Sequence, residues 1–171
     1  MEGFYTLTPK SLLEKARREI VDFHESNSLE RLFDACCTLN HLRDWICPNV
    51  DARRASRNWP EGPEERLAAE LWEMHEYQIV RGLCNRAKHF VFTKKNSDPV
   101  TGIVHGACVG LARCGDSLGQ TYYLVGVNGV AHQDVRDLLI AVLCKYLAYF
   151  GAKGEQFESN GFERKAAGGA G

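Results

Sequence analysis

Arg81, Asn85, Lys88 and His89 fall within one short run, RGLCNRAKH. Placed on a helix at about 100° per residue, they gather on one side, while Ile79, Leu83, Ala87 and Phe90 take the other. Asn85 and His89, four apart, are neighbours on a helix surface, and Arg81 and Lys88 add cationic donors nearby. Such a face suits a phosphodiester. The cations stabilise charge developing on the phosphoryl oxygens, and His89 shuttles a proton near neutral pH. Arg86, in the same run, is a further candidate for phosphate or partner binding. This chemistry calls for no metal and no cofactor. The plainer alternative is a solvated helix face, which every amphipathic helix presents. Against it stands Gly82, which costs a helix about 1 kcal/mol relative to alanine, beside Asn85, also a poor helix former. Gly82 equally fits close packing of another helix.

Other clusters are weaker. His41, Arg43 and Asp44 lie together, where Asp44 is placed to pair with a cation of the 77–90 segment as an ordinary contact between helices. His24, His75, His105 and His132 are scattered without the spacing of zinc ligands. Gly102, Gly106 and Gly110 recur every four residues in a strand-like stretch, which fits bends rather than a phosphate cradle.

The elements that must position the polar run can be read from caps and periodicity. Thr8-Pro9 opens a helix, and Leu13, Ala16, Ile20 and Phe23 give it an apolar stripe as far as about Ser26. Asn27 with Glu30 resembles a capping box for a second helix, which Leu32, Cys36, Leu39, Leu42 and Ile46 carry to Cys47-Pro48. Residues 48–62 lack an apolar period and read as a loop, pinned by Trp59. Pro63 opens a helix with Glu64 and Glu65 in its first turn and Leu67, Leu71 and Trp72 on one side. A break near His75 or Glu76 separates it from the helix 77–90.

From Phe90 the period turns to two. Val100 to Leu111 and Thr121 to Val127 read as strands, with Asn128-Gly129 as a hairpin turn, giving a small antiparallel sheet of two to four strands. Asp134 then caps a last helix whose stripe is Val135, Leu138, Leu139, Val142, Tyr146 and Phe150, closed by Gly151. The fold expected is α+β, mainly α: a four- or five-helix bundle with a β insert at about 91–132. Residues 1–151 make one domain and 152–171 a flexible tail.

Composition narrows the function classes. With 21 basic and 22 acidic side chains the net charge is −1, which argues against a large phosphate-neutralising face. The seven cysteines are odd in number and lack a C-x-x-C pair, so they read as small apolar residues of a reducing compartment without disulfides or metal. No leader pattern opens the chain, and no run approaches the about eighteen apolar residues of a membrane span, so the expectation is a cytoplasmic protein.

A helical bundle whose late helix carries R-N-x-x-x-H resembles the HEPN superfamily, whose members include metal-independent ribonucleases of toxin, abortive-infection and other defence systems. Asn85 and His89 match the motif's asparagine and histidine; Cys84 stands where the motif has arginine. The run LWEMHEYQIVRGLCNRAKHF is also similar to uncharacterised bacterial and phage-borne proteins with an N-x-x-K-H signature, over about Leu29 to Phe150. The resemblance implies two functions. The first is a non-enzymatic HEPN-like protein from a phage, prophage or defence locus, acting through a protein partner or as a homodimer. The second is a metal-independent endoribonuclease with His89 as acid or base and Asn85, Arg81 and Lys88 on the RNA phosphate. A thiol cannot supply the permanent cation of the motif arginine, which favours the first.

Overall fold

The computed structural model describes residues 7–55, 58–88, 100–106, 111–114, 116–117, 119–126 and 133–157; of residues 86–88, 100 and 101 it describes the backbone alone. The fold is α+β and mainly helical, with six helices and a three-stranded antiparallel sheet among the described residues. The helices are α1 (Pro9–Ser26), α2 (Leu29–Ile46), α3 (Val50–Arg54), α4 (Pro63–Glu73), α5 (His75–Lys88) and α6 (Val135–Ala152). The strands are β1 (Val100–His105), β2 (Thr121–Gly126) and β3 (Gln133–Asp134), with β2 in the centre.

Capping chemistry sets most boundaries. Thr8 Oγ1 accepts from the Ser11 amide at 3.1 Å while Pro9 takes the first helical position. Asn27, read as the cap of α2, instead closes α1 in the left-handed conformation (φ 50°), its amide donating to Phe23 O at 2.8 Å. Ser28 takes the N-cap of α2 without a side-chain hydrogen bond. The asparagine was the right punctuation on the wrong helix, because a short amide side chain serves both ends. Glu65 Oε2 accepts from the Glu61 amide at 2.8 Å and so holds the start of α4.

Two segments depart from expectation. The stretch 48–62 contains α3, one short helix with Val50 buried, and Trp59 packs with Cys47, Val50 and Ala68. Helix α6 runs to Ala152, and the left-handed glycine beyond it is Gly154 (φ 78°), not Gly151. Residues 153–157, expected as tail, fold back. Phe157 meets Phe150 edge-on at 5.9 Å with the Lys10 ammonium 5.3 Å from its ring, and Lys10 pairs with Glu155 at 3.0 Å.

The core gathers residues distant in sequence. Leu13, Ile20 and Phe23 of α1, Cys36, Leu39 and Leu42 of α2, Val80 and Cys84 of α5 and Leu138, Leu139 and Val142 of α6 form one buried cluster, which Val125 of β2 joins. The α6 stripe read from the sequence is buried throughout. Tyrosines tie the layers together: Tyr146 donates to Leu39 O at 2.8 Å, and Tyr123 to Asn27 O at 2.7 Å. Not all the cysteines are core residues. Cys36, Cys47 and Cys84 are buried, whereas Cys114 and Cys144 are exposed, and no disulfide joins cysteines among the described residues. No helix among them is long and apolar enough to cross a membrane.

The sheet is pinned to α6 by a charged network. β1 pairs with β2 from Val100↔Gly126 to His105↔Thr121, and β2 with β3 at Leu124↔Asp134. Asp134 caps α6, accepting from the Arg136 amide at 2.9 Å and from the Arg136 guanidinium at 2.7 Å. The same guanidinium reaches Asp116 Oδ1 at 2.9 Å, and Asp116 Oδ2 accepts from the Tyr122 hydroxyl at 3.0 Å. Because each carboxylate has several donors, these buried charges are compatible with the interior.

Candidate functional site

The chain breaks between α4 and α5 at Met74, whose extended backbone (ψ 119°) ends one helix before His75 begins the next. The break lets α5 turn its own face to the core. Tyr77, Val80 and Cys84 are fully buried, with Ile79 and Leu83 close behind. Asn85 is exposed and Arg81 half-buried, as the helical wheel requires. The side chains of Arg86 and Lys88, and the whole of His89, lie outside the described residues. Arg81 and Asn85 are therefore the sequence-derived candidates the structure places. They share a face, but no hydrogen bond joins them among the described residues.

Arg81 is engaged elsewhere. Its guanidinium carbon lies 4.6 Å from the centroid of the Trp72 ring, within cation–π range. Arg54, at the end of α3, stands 4.4 Å from the same centroid, and Arg43 of α2 stands 5.8 Å from it. Trp72, assigned by its type to the apolar side of α4, is thus only partly buried and carries a collar of arginines, while Leu67, Ala68 and Leu71 take the core positions.

Arg43 is the most confined member. It is 8% exposed, and its Nε and Nη2 both donate to Asp44 Oδ1, at 3.0 and 2.7 Å. Asp44 thus pairs with its neighbour on α2, not with a cation of α5. Arg43 Nη1 is buried without an acceptor. Burial disfavours the charge, but the nearby Tyr77 and Asp44 outweigh it and hold the Arg43 pKa above its ordinary value. Beside it, Tyr77 donates to Asn40 Oδ1 at 3.1 Å, and burial pushes its hydroxyl up to about 12 against the pull of the Arg43 guanidinium.

The described geometry gathers cationic donors. Guanidinium groups and a tyrosine titrating near 12 exchange no protons at neutral pH, so proton transfer would have to be brought by another group. Among the described residues no group of three or more histidine, cysteine or acidic side chains is placed to hold a metal. Sequence reading missed Trp72, Arg54 and the part played by Arg43, since nothing local marks residues of four different helices as neighbours. No protein-family model, no curated protein and no solved structure matches the chain.

Proposed function

We propose that the chain is an HEPN-like protein of a phage, prophage or defence locus that binds rather than cleaves, acting through protein contacts from the α5 face bearing Arg81 and Asn85. The observation that carries this reading is Cys84. The position that the family motif gives to arginine is 0% exposed here and belongs to the core cluster that holds Cys36. A guanidinium there would be a buried charge without a partner. Arg81, a turn earlier, lies against Trp72, so its fork is not held toward residue 84.

The test is RNA turnover by the purified chain in chelator. No cleavage is expected, and His89→Ala should leave that unchanged. Chelator-resistant, His89-dependent cleavage that leaves a 2′,3′-cyclic phosphate would mark the chain as an endoribonuclease and overturn the proposal. Cys84→Arg is expected to lower stability by at least about 3 kcal/mol instead of restoring activity. For the binding arm, sedimentation equilibrium should show self-association that Arg81→Glu weakens.

A further inference from the structure

We infer that Arg43, Arg54 and Arg81, gathered on Trp72, form a binding site for the phosphate group of a small phosphomonoester. The inference rests on reading this face as a binding surface and adds a small ligand to the protein contacts proposed for it.

Convergence is the first argument. The guanidinium carbons lie 5.8, 4.4 and 4.6 Å from one ring centroid, so the three stand within roughly 10 Å of one another, about the Debye length at 0.1 M salt. Like charges this close repel one another, and several times more strongly beside a protein interior than in bulk water. Among the described residues the carboxylate within ion-pair distance of any of the three is Asp44, and it is held by Arg43. Among the described residues neither Arg54 nor Arg81 has a carboxylate within ion-pair distance. Surface cations selected for solubility would be dispersed or paired, as Arg53 is with Glu65 at 3.2 Å.

The second argument is the orphan donor. Arg43 Nη1 is buried and has no acceptor, on a side chain more than nine-tenths buried. A buried N–H without a partner is destabilising, and an oxyanion brought to it would supply the missing acceptor. Stacking supplies the third. A guanidinium lying on an aromatic ring keeps its N–H edge available, and that edge matches two oxygens of a phosphate. Two stacked guanidinium edges, of Arg54 and Arg81, and the one unpaired N–H of Arg43, drawn from three helices, suit a tetrahedral dianion better than a planar carboxylate. With the chain at a net charge of −1, a long polyanion finds no extended track, which points to a small ligand.

The experiment titrates the full chain with inorganic phosphate and, separately, with adenosine 5′-monophosphate by calorimetry, at ionic strength held constant with sodium chloride. Saturable one-to-one binding is expected for both, and a tighter nucleotide would show that the site also reads the organic part. Arg54→Gln and Arg81→Gln should each weaken binding by about fivefold or more, and the double variant should not saturate below about 10 mM. Arg18→Gln, on α1, should bind as the wild type does, and circular dichroism should show all variants folded. Absence of saturable binding to the wild type, or undiminished binding to the double variant, would overturn the site. An RNA oligonucleotide lacking terminal phosphates that bound more tightly than the monophosphate would overturn the small-ligand assignment. RNA turnover with phosphate binding intact would instead overturn the non-cleaving reading and leave the site standing.

Discussion

A buried tyrosine hydroxyl and a buried arginine show how one atom can govern this protein's stability. Tyr77 is fully buried with its hydroxyl on Asn40, and its pKa is pushed from its ordinary 10.0 up to about 12. A group whose folded-state pKa is raised contributes stability that is complete below pH 10 and fades as pH rises toward 12, because only the unfolded chain ionises there. The contribution is about 2–3 kcal/mol. Thermal melts between pH 9 and 12 should therefore show a loss of stability that Tyr77→Phe reduces, although at pH 7 that variant costs about 1–3 kcal/mol by leaving Asn40 Oδ1 unpaired. An alkaline loss unchanged in Tyr77→Phe would assign it to other groups. Arg136 acts at the opposite end of the scale. Burial raises the Asp116 pKa, but hydrogen bonds from Arg136, the Arg113 amide and Tyr122 outweigh it and hold the carboxyl below its usual value. Its contribution is therefore present above the ordinary carboxylate range and is lost as acid protonates it. Arg136→Met removes the buried guanidinium that Asp116 and Asp134 share and should cost about 3–5 kcal/mol, a fall in melting temperature of roughly 10 °C.

Among the elements, α1, α4 and α6 were legible because their caps and stripes are local facts: Thr8-Pro9, Pro63 with two glutamates, and Asp134 each act within one turn. The break at Met74 was legible within a residue or two, since the apolar period changes phase there. Helix α3 was not, being too short to show a period, with Val50 its single buried residue. The arginine collar was invisible for another reason. Arg43, Arg54, Trp72 and Arg81 belong to four helices, and their meeting depends on how α2, α4 and α5 pack, which no window contains. The segment after α6 was read as free because Phe157 and Phe162 are the only large apolar residues in a polar stretch. Its partners, Phe150, Lys10 and Arg17, are supplied by other helices. Phe157→Ala should lower stability by about 1–2 kcal/mol, the loss of a half-buried ring and its edge-on partner. A melting temperature unchanged in that variant would show that the docked segment contributes nothing to the fold.

At the scale of the molecule, the thiols report whether α2 and α5 open together. Cys36 on α2 and Cys84 on α5 are each 0% exposed in one core cluster, and burial pushes the Cys36 thiol well above its ordinary value, with Cys37 and Cys84 adding to the shift. A thiolate is the reactive species, so Cys36 is shielded twice, sterically and by its pKa. Cys114 and Cys144 are exposed. Iodoacetamide labelling of the native protein at pH 8, followed peptide by peptide, should modify Cys114 and Cys144 first. Cys36 and Cys84 should follow at least about a thousandfold more slowly, because their labelling waits for an opening whose equilibrium is set by a stability of several kcal/mol. The denatured, unreduced chain should show all seven cysteines of the sequence as reactive thiols. The informative quantity is the ratio of the two slow rates once each is corrected for its rate in the denatured chain. Equal protection would make α2 and α5 one cooperative unit, as a shared core implies. Cys84 labelling well ahead of Cys36 would mean that α5 detaches while α2 holds, and the arginine collar, which draws on both helices, would then come apart before the fold does. Labelling of Cys36 within tenfold of Cys144 would show that the core as described is not closed in solution.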